Sequence, residues 1–201
     1  ESGLAKPEDV KMFAGKIHKE ASRLQSIAND IITLSKLDNH GGEPFELGEK
    51  VNLWNVAHSC VESLGLNASK KSISLSLEGE TSAEIIANSK LLYEMIFNLV
   101  DNAIRYTESG GKVVVLVEQD SIAVKDTGIG IPEECQSRIF ERFYRVDKSR
   151  SKETGGTGLG LAIVKHIAEV LHATIHLNSI VGLGTEIKVG FTTLSKTNKV
   201  L

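Results

Sequence analysis

The stretch Glu94–Thr107 (EMIFNLVDNAIRYT) constrains the fold more than any other. At about 3.6 residues per turn, Met95, Leu99, Asn102 and Tyr106 fall along one side of a helix. Glu94, Asn98, Asp101 and Arg105 fall along the adjacent side. Asn98 and Asn102 are one turn apart and share an edge. A carboxamide among mostly apolar helix neighbours must find partners, because leaving one unpaired costs about 1–3 kcal/mol. Two in register point to a ligand, or to caps and cross-links of neighbouring loops. This stretch alone leaves both readings open.

Around this helix the chain reads as follows. Residues 8–37 form one long helix, with Phe13, Ile17, Leu24, Ile27, Ile31 and Leu34 at helical spacing and Pro7 in its first turn. Ile17, Leu24 and Ile31 are spaced like a coiled-coil seam that needs a partner. His18, between charged neighbours, reads as a solvated side chain. The cluster 38–48 (DNHGGEPFELG) reads as a linker that leaves His40 exposed. Residues 51–53 form a short strand. Residues 54–69 form a helix with Val56, Cys60, Val61, Leu64 and Leu66 as its apolar face. Strands follow at 72–78 and 84–87. Asn88 or Ser89 caps the motif helix. Strands at 112–118 and 121–125 flank a turn at Gln119-Asp120. A helix runs from Pro132 to about Phe140, and another spans 159–171. Strands at 173–178 and 185–191 flank a turn at 181–184, and a frayed tail ends the chain. This order predicts an α+β fold: a two-layer sandwich with one mixed sheet covered by helices on one face, preceded by a long helix.

Three further motifs carry chemistry. Asp126-Thr-Gly-Ile-Gly-Ile131 ends a strand. Asp126 there offers a carboxylate acceptor to an amino group, and Gly128 and Gly130 permit close approach of a ligand. Gly155-Gly-Thr-Gly-Leu-Gly160 opens a helix, where free N–H groups and the positive end of the dipole suit phosphate. It lacks the Gly-Lys-Ser/Thr of a Walker loop, and no strand leads into it as in a Rossmann fingerprint. Phe140, Phe143 and Tyr144 concentrate the aromatics of an aromatic-poor chain just before a basic, glycine-rich stretch, as a nucleotide lid requires. Arg145 reads as a phosphate contact. Lys148, Arg150 and Lys152 read as a solvated loop.

Composition narrows the classes. A net charge of −3 gives no nucleic-acid footprint. No apolar run is long enough to span a membrane. Cys60 and Cys135 have no metal or disulfide spacing, which favours a reducing compartment, and Cys60 reads as core. The opening ESGLAKPEDV has no signal peptide and reads as the interior of a longer protein.

Together the motifs resemble the ATP-binding catalytic domain of sensor histidine kinases, in the wider superfamily of gyrase, Hsp90 and MutL ATPases. NLVDNAIRYT is similar to the N box, DTGIGI to the G1 box and FERFYRVD to the F box. GGTGLGLAIV is similar to the G2 box, and Gly182-Leu-Gly-Thr185 to the G3 element. EASRLQSIANDIITLSKLD resembles the second helix of the family's dimerisation and phosphoacceptor hairpin. The resemblance covers about residues 8–192.

The resemblance implies roles for individual residues. Asn102 would coordinate Mg²⁺ and bridge it to the phosphates of ATP, with Asn98 assisting. Arg105 would lie near the phosphates and Tyr106 beside the adenosine. Asp126 would accept from the adenine amino group, with Gly128, Gly130 and Ile131 lining that pocket. Thr157, Gly158, Leu159, Gly160 and Leu161 would embrace the phosphates, and Thr185 would back the adenine. Position 98 looks like a water-activating glutamate in the gyrase branch; its amide here cannot act as a base.

The implied division is a hairpin remnant (1–40), a linker (41–49), a catalytic kinase domain (50–192) and a tail (193–201). The implied partners are a phosphoacceptor hairpin, a response regulator receiver domain and a second copy in the full-length protein. The implied location is cytoplasmic, with the whole protein attached to the inner side of a bacterial membrane. One departure is large: no His-Glu/Asp-Leu-like box occurs, and His18, His40, His58, His166, His172 and His176 all lie in other contexts. The chain is therefore expected to begin after the first hairpin helix, without the acceptor histidine. The competing expectations are a nucleotide-binding interaction module, an ATPase, or a serine kinase of the same superfamily.

Overall fold

A computed structural model describes residues 7–39, 48–146 and 156–191. The centre of the expected linker, the basic part of the expected lid and the expected tail lie outside the described residues.

Helix α1 spans Pro7–Asn39. Most of its apolar stripe is exposed, including Phe13, Ile17, Leu24 and Ile31. Near its C-terminal end Leu34 and Leu37 turn inward and join the core of the rest of the molecule. Strand β1 (Glu49–Asn52) pairs antiparallel with β3 (Glu84–Ala87) as a separate two-stranded ribbon. The main sheet comprises β2 (Ser74–Gly79), β4 (Lys112–Glu118), β5 (Ser121–Asp126), β6 (Thr174–Ile180) and β7 (Gly184–Gly190). Its order is β2-β4-β5-β7-β6, and only β2–β4 is parallel.

Helices α2 (Leu53–Lys70), α3 (Ser89–Tyr106) and α5 (Gly160–Val170) complete the core. Strand β4 shows why: Val113, Val115 and Val117 are buried, while the alternate residues are not. Asn88 caps α3 by accepting from the backbone N–H groups of Lys90 and Leu91 at 3.1 and 3.2 Å. The α+β sandwich with a preceding long helix is thus the observed architecture.

Four expectations need correction. The strands form two sheets, because among the described residues β1 and β3 pair only with each other. Leu66 is 74% exposed. The buried face of α2 runs Leu53, Ala57, Cys60, Leu64 and Ala68, and Leu66 lies two residues off it. Strand β2 begins at Ser74, because Ser72 takes a left-handed conformation (φ 57°) that ends the preceding turn. The helix after Pro132, α4, stops at Gln136. Beyond it the backbone closes three-residue turns, Arg138 to Cys135 and Glu141 to Arg138, rather than helical ones.

Candidate nucleotide site

Helix α3, the loop after β5, the start of α5 and the C-terminal half of α1 surround a cavity of about 900 Å³. That is room for a nucleotide-sized ligand. The inward face of α3 is apolar, with Leu92, Met95, Ile96, Leu99 and Val100 buried. Its polar edge turns Asn98, Asp101, Asn102 and Arg105 into the cavity. The two amides therefore share one opening, one turn apart.

Asp126 ends β5 and is 8% exposed. Its Oδ1 accepts from the backbone N–H of Gly128 (2.8 Å) and of Thr185 (3.2 Å), its partner on β7. Neither bond uses Oδ2. Burial pushes the carboxyl above the usual aspartate value of 3.8, and the two backbone bonds oppose that shift. Tyr106, Ile131 and Thr185 line the cavity with it.

The glycines after Asp126 serve the protein's own backbone. A Cβ at Gly128 would lie 2.5 Å from the Tyr106 carbonyl oxygen. A Cβ at Gly130, where φ is 69°, would lie 2.1 Å from the Ile180 carbonyl oxygen. The close approach is thus between this loop, α3 and β6. Gly130 lines the cavity, whereas Gly128 does not. Ser179 ties the loop down. Its Oγ accepts from the Ile131 N–H (2.8 Å) and lies 2.8 Å from Thr185 Oγ1. Gln136 adds bonds to the carbonyls of Ile131 and Ser179, both at 3.0 Å.

Facing these residues is a cationic group. A Cβ at Gly156 would sit 3.4 Å from Arg105 Nη1 and 3.6 Å from Arg145 Nη2, so two guanidinium groups meet one glycine. Arg145 Nη1 donates to the Gly156 carbonyl, and Arg105 Nη2 pairs with Asp101 at 2.6 Å. An anion seated by Gly156 would be attracted by both guanidinium groups. Helix α5 starts beside them, and among the described residues no side chain caps its N-terminus. Gly160 and Leu161 present the first turn to the cavity, with Thr157 and Gly158 before it. Leu159 departs from the expected lining: its side chain is wholly buried, and its N–H donates to Thr157 Oγ1 at 3.2 Å.

The residues fit a nucleotide with a hard cation. The loop accommodates Asn98 through Gly160, whose Cβ would be 2.9 Å from Asn98 Oδ1. Among the described residues no group of three His, Cys, Asp or Glu side chains is placed to hold a metal. The amide oxygens of Asn98 and Asn102, with phosphate and water, would supply the all-oxygen coordination that Mg²⁺ prefers.

Sequence reasoning missed several contributors. Ser26 and Asp30 of α1 line the cavity. Lys71 closes the end of α3, with Nζ donating to the carbonyls of Ile104 (2.8 Å), Arg105 (2.8 Å) and Thr107 (3.1 Å). Ser179 and Gln136 hold the loop after β5. Lys71, Ser179 and Gln136 lie in no motif, and Ser26 and Asp30 lie in a helix whose sequence does not mark them as cavity residues; only the tertiary arrangement assembles them.

The family of histidine kinase-, DNA gyrase B- and HSP90-like ATPases matches residues 87–195, more than half of the chain. The chain belongs to that family. It is 39% identical over 183 residues to the sensor-like histidine kinase SenX3 of Mycolicibacterium smegmatis, covering 89% of this chain and 47% of that protein. The chain spans about half the length of the curated relatives it matches. The mycobacterial sensor histidine kinase MprB superposes with a TM-score of 0.62 at 25% identity, over 72% of this chain and 97% of that one. Full-length ShkA, crystallised with AMPPNP, shares the fold. Its TM-score is 0.71 at 22% identity, over 92% of this chain and 40% of ShkA. Residues 87–195 are therefore a domain of that ATPase family, and no helix among the described residues is long and apolar enough to cross a membrane.

Proposed function

We propose that the chain binds Mg-ATP and transfers the γ-phosphoryl group to a histidine of a phosphoacceptor hairpin, for relay to the receiver aspartate of a response regulator. The observation that carries this reading is the cavity that joins Asp126, the two α3 amides, Arg105, Arg145 and the start of α5.

In this reading Asp126 Oδ2 accepts from the adenine amino group, and Ile131, Tyr106 and Thr185 enclose the base. Arg105, Arg145 and the α5 N–H groups bind the phosphates and stabilise the charge that develops on the transferred group. Mg²⁺, held through Asn102 with Asn98 assisting, would neutralise phosphate charge. The lone pair of a neutral imidazole forms the N–P bond as the bond from the γ-phosphorus to the bridging oxygen breaks and ADP departs. Neutral imidazole is abundant near pH 7, so no strong base is needed. The amide at Asn98 favours this transfer over water activation, because it cannot take a proton.

The proposed division is a hairpin remnant over 1–40, a linker over 41–49, a kinase domain over 50–192 and a tail over 193–201. A full-length homodimer at the inner face of a membrane belongs to the same reading. The test supplies γ-labelled ATP and an added acceptor hairpin to this chain. Acid-labile, alkali-stable label on the hairpin histidine supports the proposal. Hydrolysis without transfer overturns it.

A further inference from the structure

Helix α1 does more than precede the catalytic region; it reaches into the cavity. Its docked face runs Asp30, Thr33, Leu34, Leu37 and Asp38, at helical spacing. Leu34 and Leu37 are 3% and 7% exposed. Asp38 Oδ1 and Oδ2 accept from Arg142 Nη2 at 2.7 and 2.8 Å, and Thr33 hydrogen-bonds Glu94 of α3. This seating brings Asp30 over the phosphate group of residues. Asp30 lines the cavity together with Thr157, Arg105 and Asp101; the Thr157 hydroxyl hydrogen-bonds its carboxylate, Arg105 attracts it and Asp101 repels it.

A carboxylate among these groups occupies the charge environment that a terminal phosphate would seek. We infer that Asp30 is a nucleotide-discriminating residue: with α1 docked, its carboxylate competes with the γ-phosphate for Thr157 and Arg105, so the docked chain favours ADP and ATP loading requires Asp30 to leave. ATP carries one more negative charge than ADP, and that charge lies at the end farthest from Asp126. Repulsion from Asp30 therefore falls on ATP far more than on ADP. The inference rests on the nucleotide-site reading above.

The test is titration calorimetry of the full chain with Mg²⁺, using a non-hydrolysable ATP analogue and ADP in parallel. Asp30→Asn keeps size and hydrogen bonding but removes the charge. It is expected to tighten the analogue about tenfold and ADP by less than about twofold. Leu37→Asp, which breaks the buried contact of α1, should give the same selective gain, and adding Asp30→Asn to it should add nothing. Equal changes for both nucleotides, or none, overturn the inference. Weaker binding of both also overturns it and makes Asp30 a ligand instead of a rival. No nucleotide binding by any variant overturns the site reading itself, and this inference with it.

Discussion

The side-chain oxygen of Asn98 faces Gly160 so closely that a Cβ there would sit 2.9 Å away. The first amide of α3 and the first residue of α5 are fitted to each other. Asn98 Nδ2 is fixed from behind by the Glu94 carbonyl at 2.8 Å, so the amide has no slack along its own helix.

Gly160→Ala should therefore displace Asn98 and leave the fold standing. Only the end of a side chain has to move, which costs about 1 kcal/mol or less in stability. The expected result is a near-unchanged melting temperature with Mg-nucleotide affinity reduced about tenfold. Unchanged affinity would show that Asn98 does not touch the ligand.

Asp126→Asn retains an oxygen for the Gly128 and Thr185 N–H groups but replaces Oδ2 with a donor. ATP affinity should fall by about 1–3 kcal/mol, the cost of an unmade buried hydrogen bond. The wild-type site should also be sensitive to acid. Burial raises this carboxyl above 3.8, so its acceptor is lost as the pH falls through a value higher than an ordinary aspartate's. For stability the sign is opposite: a raised folded-state value contributes most below 3.8, and that contribution is lost as pH rises through the folded value. Titrations across a pH series check both.

Lys71→Ala removes the donor to three carbonyls at the end of α3. Part of this cluster is exposed, so the expected loss is about 1 kcal/mol, read as a melting temperature lower by about 2–4 °C. An unchanged melt would contradict the capping role.

How legible this molecule was in its sequence depends on the residue. Asn98 and Asn102 stood out because amides on an otherwise apolar helix need a reason. Asp126 and the loop before α5 stand out because their glycines permit backbones that a Cβ would block and leave N–H groups open at a helix start. The face of α2 was misread at Leu66 because two buried positions, Ala57 and Ala68, are small and carry little pattern. The split between the two sheets was invisible, since nothing in Val51 or Ile85 tells which strand each will pair with. Asp30 was hidden among the other polar residues of a long helix. Its place in the cavity depends on Leu34 and Leu37 docking, which is a tertiary fact.

Cysteine reactivity gives an independent check of the core. Burial pushes the Cys60 thiol up to about 12, so almost no thiolate forms at neutral pH. Cys135 is only half-buried. Maleimide should label the native chain once, at Cys135, and reach Cys60 only in denaturant. Native labelling at Cys60 would contradict the packing of α2 against α3.

The most direct test is calorimetric titration of wild-type and Asn102→Ala chains with a non-hydrolysable ATP analogue, with and without Mg²⁺. The account predicts Mg²⁺-dependent binding by the wild type. It predicts no measurable Mg²⁺-dependent binding by the variant, with both chains melting alike. Equal affinity in the two chains would contradict the central role given to the α3 amides.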